Sequence, residues 1–423
     1  MEGLNGKLTS GFRHVVFPLA CTAHRTKAEA GGFRGIDLMP MPAAADDRFA
    51  DWPRLRARLL LFALLAMLIA SAVVPINAGK STVKTQSFAE NVAGKKGPSR
   101  PRDDDLALYD VVIERISSGE NYYQIVAEEH RRNGYPLRPG FAVRLPTLAY
   151  INSALGDTGQ AIAAFVLMLS VLAAWWQRLG PKPLGEPGGL RYRAIAVAFL
   201  ALGVSLGMNR YFFVLHELWA GMLLALAFGL HRPRTATGEG RYGAALAVAA
   251  LALAIREHSL PFVALMAAMA MWRRDWKESA AWSALIAVFL GAMAVHLHLV
   301  SQMVLPGDPP SPSWLALRGL SGWLSNVILS SNLRLLPHHV AGPLVMLMIF
   351  GWAGWKSPAG AFGTLLFLGY GAAFMIAGRG ENFYWGAMIA PTMFLGLAFV
   401  PRAARSLWRA AAIGRVGAGA STP

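Results

Sequence analysis

Three groups of ionisable residues are spaced for chemistry at the edge of an apolar phase. The first runs from Asp103 to Glu129 and holds Asp103, Asp104, Asp105, Asp110, Glu114, Glu120, Glu128 and Glu129, eight of the 24 acidic residues in the chain. Tyr122 and Tyr123 stand among them, and His130, Arg131 and Arg144 follow. A carboxylate beside aromatics and arginines at a bilayer surface suits a reaction on a lipid-linked phosphate, the carboxylate accepting a proton while the guanidinium holds the phosphate. The second group, Arg256-Glu257-His258, cuts an otherwise continuous apolar stretch from 242 to 272, with Pro261 behind it to break the helix. Charges in such a stretch are costly and need a partner or a purpose. The third is dispersed: His216-Glu217, then Arg379, Asn382 and Tyr384. Arg256 and Arg379 are the candidates for gripping a substrate phosphate, because an arginine fork offers two hydrogen bonds.

Each group also has a plainer reading. Acidic runs on surface helices are ordinarily solvated faces, and Asp103, Asp104, Asp110, Glu114 and Glu128 are read that way. Asp105, Glu120 and Glu129 stay as functional candidates. Tyr122, Tyr123 and Trp385 suit interface anchoring as well as contact with a sugar ring, and Arg144 suits snorkelling to headgroups. The single cysteine, Cys21, rules out an intramolecular disulfide and a Cys-rich metal site. The GxxxxGK[ST] pattern of a phosphate loop is absent, and His296, His298, His338 and His339 form no ligand pattern.

The elements that must position these residues are membrane helices. Of 423 residues, 55% are hydrophobic and 15% charged, too apolar for one water-soluble core. Windows such as 59–74 and 161–176 carry no charge at all. By the criterion of roughly 20 apolar residues, about ten spans are expected. They fall at 59–77, 158–177, 194–209, 211–230, 242–255, 259–272, 280–299, 340–355, 359–377 and 383–400. Lys and Arg outnumber Asp and Glu by 40 to 24, but the basic residues cluster in short tracts between apolar segments, which signals topology and not a nucleic-acid partner. Residues 1–58 read as a disordered cytoplasmic tail, with Met39 and Met41 as alternative starts. Ala70-Ser71-Ala72 resembles a signal-peptidase site, yet the apolar run continues past it, which favours an uncleaved anchor.

Segment 141–155 decides the topology. If it spans, the tracts with Arg178 to Arg193, Arg232 to Arg241 and Arg273 to Lys277 all face outward, against the positive-inside rule. As an interfacial amphipathic helix it leaves those tracts, Arg54 to Arg58 and Arg402 to Arg409 cytoplasmic. The expected organisation is an all-α polytopic domain over 59–400, with a first outer loop at 79–157, a second at 300–339, and a basic cytoplasmic tail at 401–423. The first loop reads as two short amphipathic helices, a turn at Gly119 and a break at Gly134-Tyr135-Pro136.

One span, then a long outer loop opening with Asp and holding two surface helices, then a second span, resembles the GT-C superfamily of polyprenyl-phosphate-sugar-dependent glycosyltransferases. Within it, Asp105-x-x-Leu108-Tyr109, Gly119-Glu120-x-Tyr122-Tyr123, Glu129-His130-Arg131, Gly134-Tyr135-Pro136 and Arg144-x-Pro146-Thr147 resemble an uncharacterised bacterial branch of multi-span proteins, as do HELWAG (216–221), REHSLP (256–261) and GRGENFYWG (378–386). The resemblance implies a bacterial inner-membrane enzyme with its site at the periplasmic face. Its donor would be a polyprenyl-phosphate-linked sugar drawn from the membrane lipids, and its acceptor a glycan, lipid or protein. It makes Asp105 the catalytic base and Glu217 the second acidic residue. A His-Glu pair stands where an Asp is commoner, so a divalent cation held by His216 and Glu217 is an open expectation. The expected substrate-binding set is Glu120, Tyr123, Glu129, His130, Arg144, Glu217, Glu257, Asn382 and Tyr384, with Arg256 and Arg379 on the donor phosphate. The alternative is a transporter or flippase that moves a lipid-linked substrate unchanged; no internal repeat of the kind such proteins carry is apparent.

Overall fold

The computed structural model describes residues 47–76, 104–180, 189–234 and 240–412, and of Asp104 and Asp105 the backbone alone. Among these residues the chain is helical, without strands and with four isolated bridge pairs. In order the helices are α1 (Arg54–Val73), α2 (Asp104–Ser117), α3 (Tyr122–Arg132), α4 (Thr147–Arg178), α5 (Gly189–Val204), α6 (His216–Leu230), α7 (Gly243–Ile255) and α8 (Leu260–Trp272). There follow α9 (Trp276–Met303), α10 (Gly319–Leu329), α11 (His338–Gly354), α12 (Pro358–Ile376), the single turn α13 (Ala390–Met393) and α14 (Gly396–Ala412).

Five helical stretches are long and apolar enough to cross a membrane: Arg54–Val73, Gly140–Arg178, Gly189–Met208, Trp276–Met303 and Pro358–Ile376. Large apolar side chains on them face outward, with Phe62 73% and Val288 71% exposed. Water would penalise such a surface and lipid would not, so the chain is a helical membrane protein. The shorter helices α6, α7, α10 and α11 are apolar as well, and α6 is buried along nearly its whole length.

The first loop folds as its turn residues direct. Gly119 takes φ +91, a conformation costly for any residue with a Cβ, and Asn121 then caps α3 by accepting a hydrogen bond from the Tyr123 amide at 3.0 Å. Segment 141–155 is no separate helix. A 3-10 turn at Gly140–Ala142 leads into α4, which runs on to Arg178 with a break at Gly156, where φ is 58° and ψ −178°. The arm before the break is too short to cross a bilayer.

Other expectations are corrected. Residues 1–46 lie outside the described part, but 47–53 are not a loose tail: Phe49 is 1% exposed and stacks on Phe350 at 5.6 Å. The 300–339 segment is not simply a loop, because α9 runs into it and α10 is buried within it through Trp323, Leu324, Val327 and Ile328. The last expected span, 383–400, is broken into a 3-10 helix (Gly380–Met388), α13 opening on Pro391, and α14, which continues to Ala412 through what was read as tail. Glycines permit this break to sit inside the bundle. A Cβ on Gly221 of α6 would collide with the Ala387 carbonyl, and one on Gly386 with the Asn326 carbonyl of α10. Irregular backbone is tolerated at such depth only where protein covers it, and Trp385 to Met388 are all buried.

Candidate functional site

Arg144, Arg256 and Arg379 are far apart in sequence and line one cavity of about 410 Å³. Leu108 and Tyr109 of α2 form part of its wall, with His130, Tyr135 and Pro136 from the end of α3 and the loop beyond it. The 3-10 turn between α7 and α8 supplies Arg256, Glu257 and His258. Ser311 and Trp314 close a further side, and the segment after α12 adds Arg379, Glu381, Asn382, Tyr384 and Trp385.

The local sequence explains the second wall. Arg256 leaves the helix with φ −147° and ψ 119°, and Pro261 lies at the start of α8, so three charged residues occupy a tight turn between two apolar helices. Ser259 closes the turn by donating to the Ala252 carbonyl at 3.1 Å. Behind it sits Glu217, 0% exposed in the first turn of α6. Its Oε1 lies 2.8 Å from Arg256 Nε and its Oε2 3.5 Å from Arg144 Nη1. Arg256 Nη1 reaches Glu257 Oε1 at 2.9 Å. Arg379 pairs through Nε with Glu381 Oε1 at 2.5 Å and donates through Nη1 to the Pro312 carbonyl at 3.1 Å.

The arginines are therefore held by Glu217, Glu257 and Glu381 and are not free cations. This costs phosphate attraction but fixes the forks in place, the preorganisation that makes charged groups effective in a site of low dielectric. Burial raises the Glu257 carboxyl, but Arg256 and then His258 outweigh it and hold the group well below the usual carboxylate range. Glu257 is accordingly ionised. Burial pushes the Tyr109 hydroxyl up to about 12 against the opposing pull of Arg144, whose guanidinium lies 4.7 Å from the Tyr109 ring centroid. Tyr109 is thus a neutral phenol. Tyr384 flanks the other side of Arg144 at 5.4 Å, and its hydroxyl accepts from Asn382 Nδ2 at 3.1 Å.

Seven expected residues line this cavity: His130, Arg144, Arg256, Glu257, Arg379, Asn382 and Tyr384. Glu217 supports it from behind. Glu120 and Glu129 do not line it: both bind Arg115, and Glu129 Oε1 also takes Arg132 at 2.9 Å, a clamp between α2 and α3. Tyr123 faces another groove, with its hydroxyl 3.1 Å from His296 Nδ1. The Asp105 carboxylate lies outside the described residues; its backbone is one turn before Tyr109 on α2. Tyr135, His258, Trp314 and Glu381 were not expected at the site. Trp314 and Glu381 carried no spacing signal, whereas His258 belonged to a charged break already singled out.

A divalent cation at His216 and Glu217 does not fit. Arg144 and Arg256 face the Glu217 oxygens, His216 Nδ1 lies 3.3 Å from Arg144 Nη1, and His216 Nε2 lies 3.3 Å from the Leu145 carbonyl. Two guanidiniums at a cation site would repel the ion they should share it with. Among the described residues, no group of three or more His, Cys, Asp or Glu is placed to hold a metal.

A second, apolar groove of about 310 Å³ adjoins this region. Leu145 and Pro146, directly after Arg144, and Leu253 and Ala254, just before Arg256, line it together with Leu285, Val288, Phe289 and Met293 of α9. Comparison of the chain with protein-family models, curated proteins and solved structures gives no match in any of the three.

Proposed function

We propose that the protein is a membrane glycosyltransferase of GT-C type, using a polyprenyl-phosphate sugar as donor at the periplasmic face of a bacterial inner membrane. One observation carries the reading: the polar cavity and the apolar groove share the backbone at Arg144-Leu145-Pro146 and at Leu253-Ala254-x-Arg256. A ligand that fills both needs an anionic head and a long apolar tail. A lipid phosphate has that chemistry, and the outward-facing apolar side chains Val288 and Val295 put the groove within reach of lipid.

In this mechanism Arg144, Arg256 and Arg379 meet the phosphate, and Tyr135, Trp314, Tyr384 and Trp385 offer aromatic faces to the sugar. An acceptor hydroxyl attacks the anomeric carbon, and the charge that gathers on the departing phosphate is stabilised by guanidiniums already in position. A single displacement inverts the anomeric centre.

The test uses the purified protein in nanodiscs with a panel of undecaprenyl-phosphate hexoses and pentoses, alongside lipid and glycan profiling of a deletion strain. Release of undecaprenyl phosphate, and loss of one glycoform on deletion, are expected. A deletion that leaves every glycoform intact while lipid-linked sugar accumulates on the cytoplasmic leaflet would favour a carrier of the same lipid and overturn the transferase.

A further inference from the structure

A transferase needs a proton acceptor in its cavity, and one lies in the turn between α7 and α8. His258 Nδ1 is 2.9 Å from Glu257 Oε1, off the ideal line for an N–H donor. Nδ1 is shielded from solvent, whereas the side chain as a whole keeps 26% of its exposure and lines the cavity. The exposed edge of the ring is therefore the one away from Glu257, which carries Nε2. Two neighbours fix the ring. Trp385 packs against it at 4.5 Å between centroids, and the Tyr370 hydroxyl donates to the His258 carbonyl.

Resting on the glycosyl-transfer reading above, we propose that His258 is the general base, with Glu257 as the residue that positions it. The order is Glu217, Arg256, Glu257, His258, each in contact with the next, leading from the buried α6 turn to the cavity. A carboxylate on one imidazole nitrogen selects the tautomer whose other nitrogen carries a lone pair, and it stabilises the imidazolium that forms. The proton of the acceptor hydroxyl passes to Nε2 as the oxygen bonds to the anomeric carbon. The bond from that carbon to the phosphate oxygen breaks, and its electron pair leaves on polyprenyl phosphate. The products are the glycosylated acceptor, polyprenyl phosphate and a proton on His258, later released to water. The charged groups around the imidazole are Glu257 and Arg256 on its own turn, Glu217 on α6, Arg144 before α4, and Arg379 with Glu381 after α12.

The assignment competes with Asp105, and one set of variants separates the two. Transfer is measured with the undecaprenyl-phosphate sugar that the parent protein uses, across pH, for His258→Gln, His258→Ala, Glu257→Gln and Asp105→Asn. Binding of undecaprenyl phosphate, followed by native mass spectrometry, serves as the folding control. His258→Gln is expected to lower kcat at least about 100-fold with donor KM nearly unchanged and to erase the acid limb of the pH–rate profile. Added imidazole should restore His258→Ala in part. Glu257→Gln should move that limb, as a positioning residue would, and Asp105→Asn should keep it. Parent-like rates and pH dependence in His258→Gln overturn the assignment. So does an Asp105→Asn variant that binds lipid but transfers nothing while His258→Gln stays active. If the parent releases no undecaprenyl phosphate from any donor, the transferase reading itself fails.

Discussion

Arg256 and Arg379 look equivalent in sequence, each an arginine beside a glutamate, but burial gives them different work. Arg256 is 5% exposed and lies between Glu217 and Glu257, so it neutralises a carboxylate that has no water. Removing one partner of a buried pair leaves the other charge uncompensated, at a cost of about 3 to 5 kcal/mol. Arg256→Ala should therefore lose folded protein as well as transfer, seen as a lower melting temperature in detergent. Lys keeps the charge but cannot span Glu217 and Glu257 with one planar fork, so Arg256→Lys should stay folded and use donor poorly. Arg379 keeps 27% side-chain exposure at the cavity rim, and Arg379→Ala should raise donor KM with little change in melting temperature. A melting curve that drops for Arg379→Ala and holds for Arg256→Ala would reverse these roles. The arginines were legible because a charge inside an apolar run stands out. That Arg256 is locked to Glu217, 39 positions away, was not, since only the α6–α7 packing joins them.

At the scale of elements, hydropathy located most helices and failed where length or regularity ran out. Helix α10 has 11 residues, half of what a span requires, and was absorbed into a loop. The 3-10 segment at Gly380–Met388 was read as the opening of a span because its composition is apolar; composition does not show that Gly378 has φ +90 or that Gly386 abuts Asn326. Both elements back the cavity, so its rear wall was the part missing from the sequence. Its roof is a contact between elements. Arg131 on α3 grips Asp308 through two hydrogen bonds, at 2.8 and 2.9 Å, and Arg138 binds the Asp308 carbonyl, which ties the loop after α9 to the first loop. Arg131, then the Leu305 amide, holds the Asp308 carboxyl down to about 2. A carboxyl lowered on folding contributes stability above its unfolded value and loses it as pH falls through the folded one. The tie should hold throughout the neutral range and loosen only toward pH about 2. In Asp308→Asn, residues 304–318 should be cut by protease at pH 7 much faster than in the parent. Equal cutting rates would show that the tie does not close the roof.

For the whole molecule, hydrogen bonds and ion pairs sort the loops into two ends. One end joins Asp47 to Trp355, Arg58 to Ala411, Arg178 to His231, and His231 and Arg273 to Glu278. The other joins Pro75 to Ser321, Arg131 to Asp308, Arg144 to Glu217, Glu217 to Arg256, and Trp314 to Gly378. Following the chain from end to end supports ten crossings, with α6, α7 and α8 lengthened by the turns beside them and the broken 380–412 segment making the last. It also returns the arm Thr147–Leu155 to the end it started from, as an interfacial segment requires. The basic tracts at Arg178, Arg232 to Arg241, Arg273 to Lys277 and Arg402 to Arg409 all fall at the first end. Positive charge resists translocation, so this end should be cytoplasmic and the cavity periplasmic. Fusions of alkaline phosphatase and green fluorescent protein after Arg193, Arg241 and Lys277 should fluoresce and lack phosphatase activity, and fusions near Glu120 and Asp308 should do the reverse. Phosphatase activity after Arg193 together with fluorescence near Glu120 would invert the molecule, placing the cavity and its lipid phosphate on the cytoplasmic leaflet.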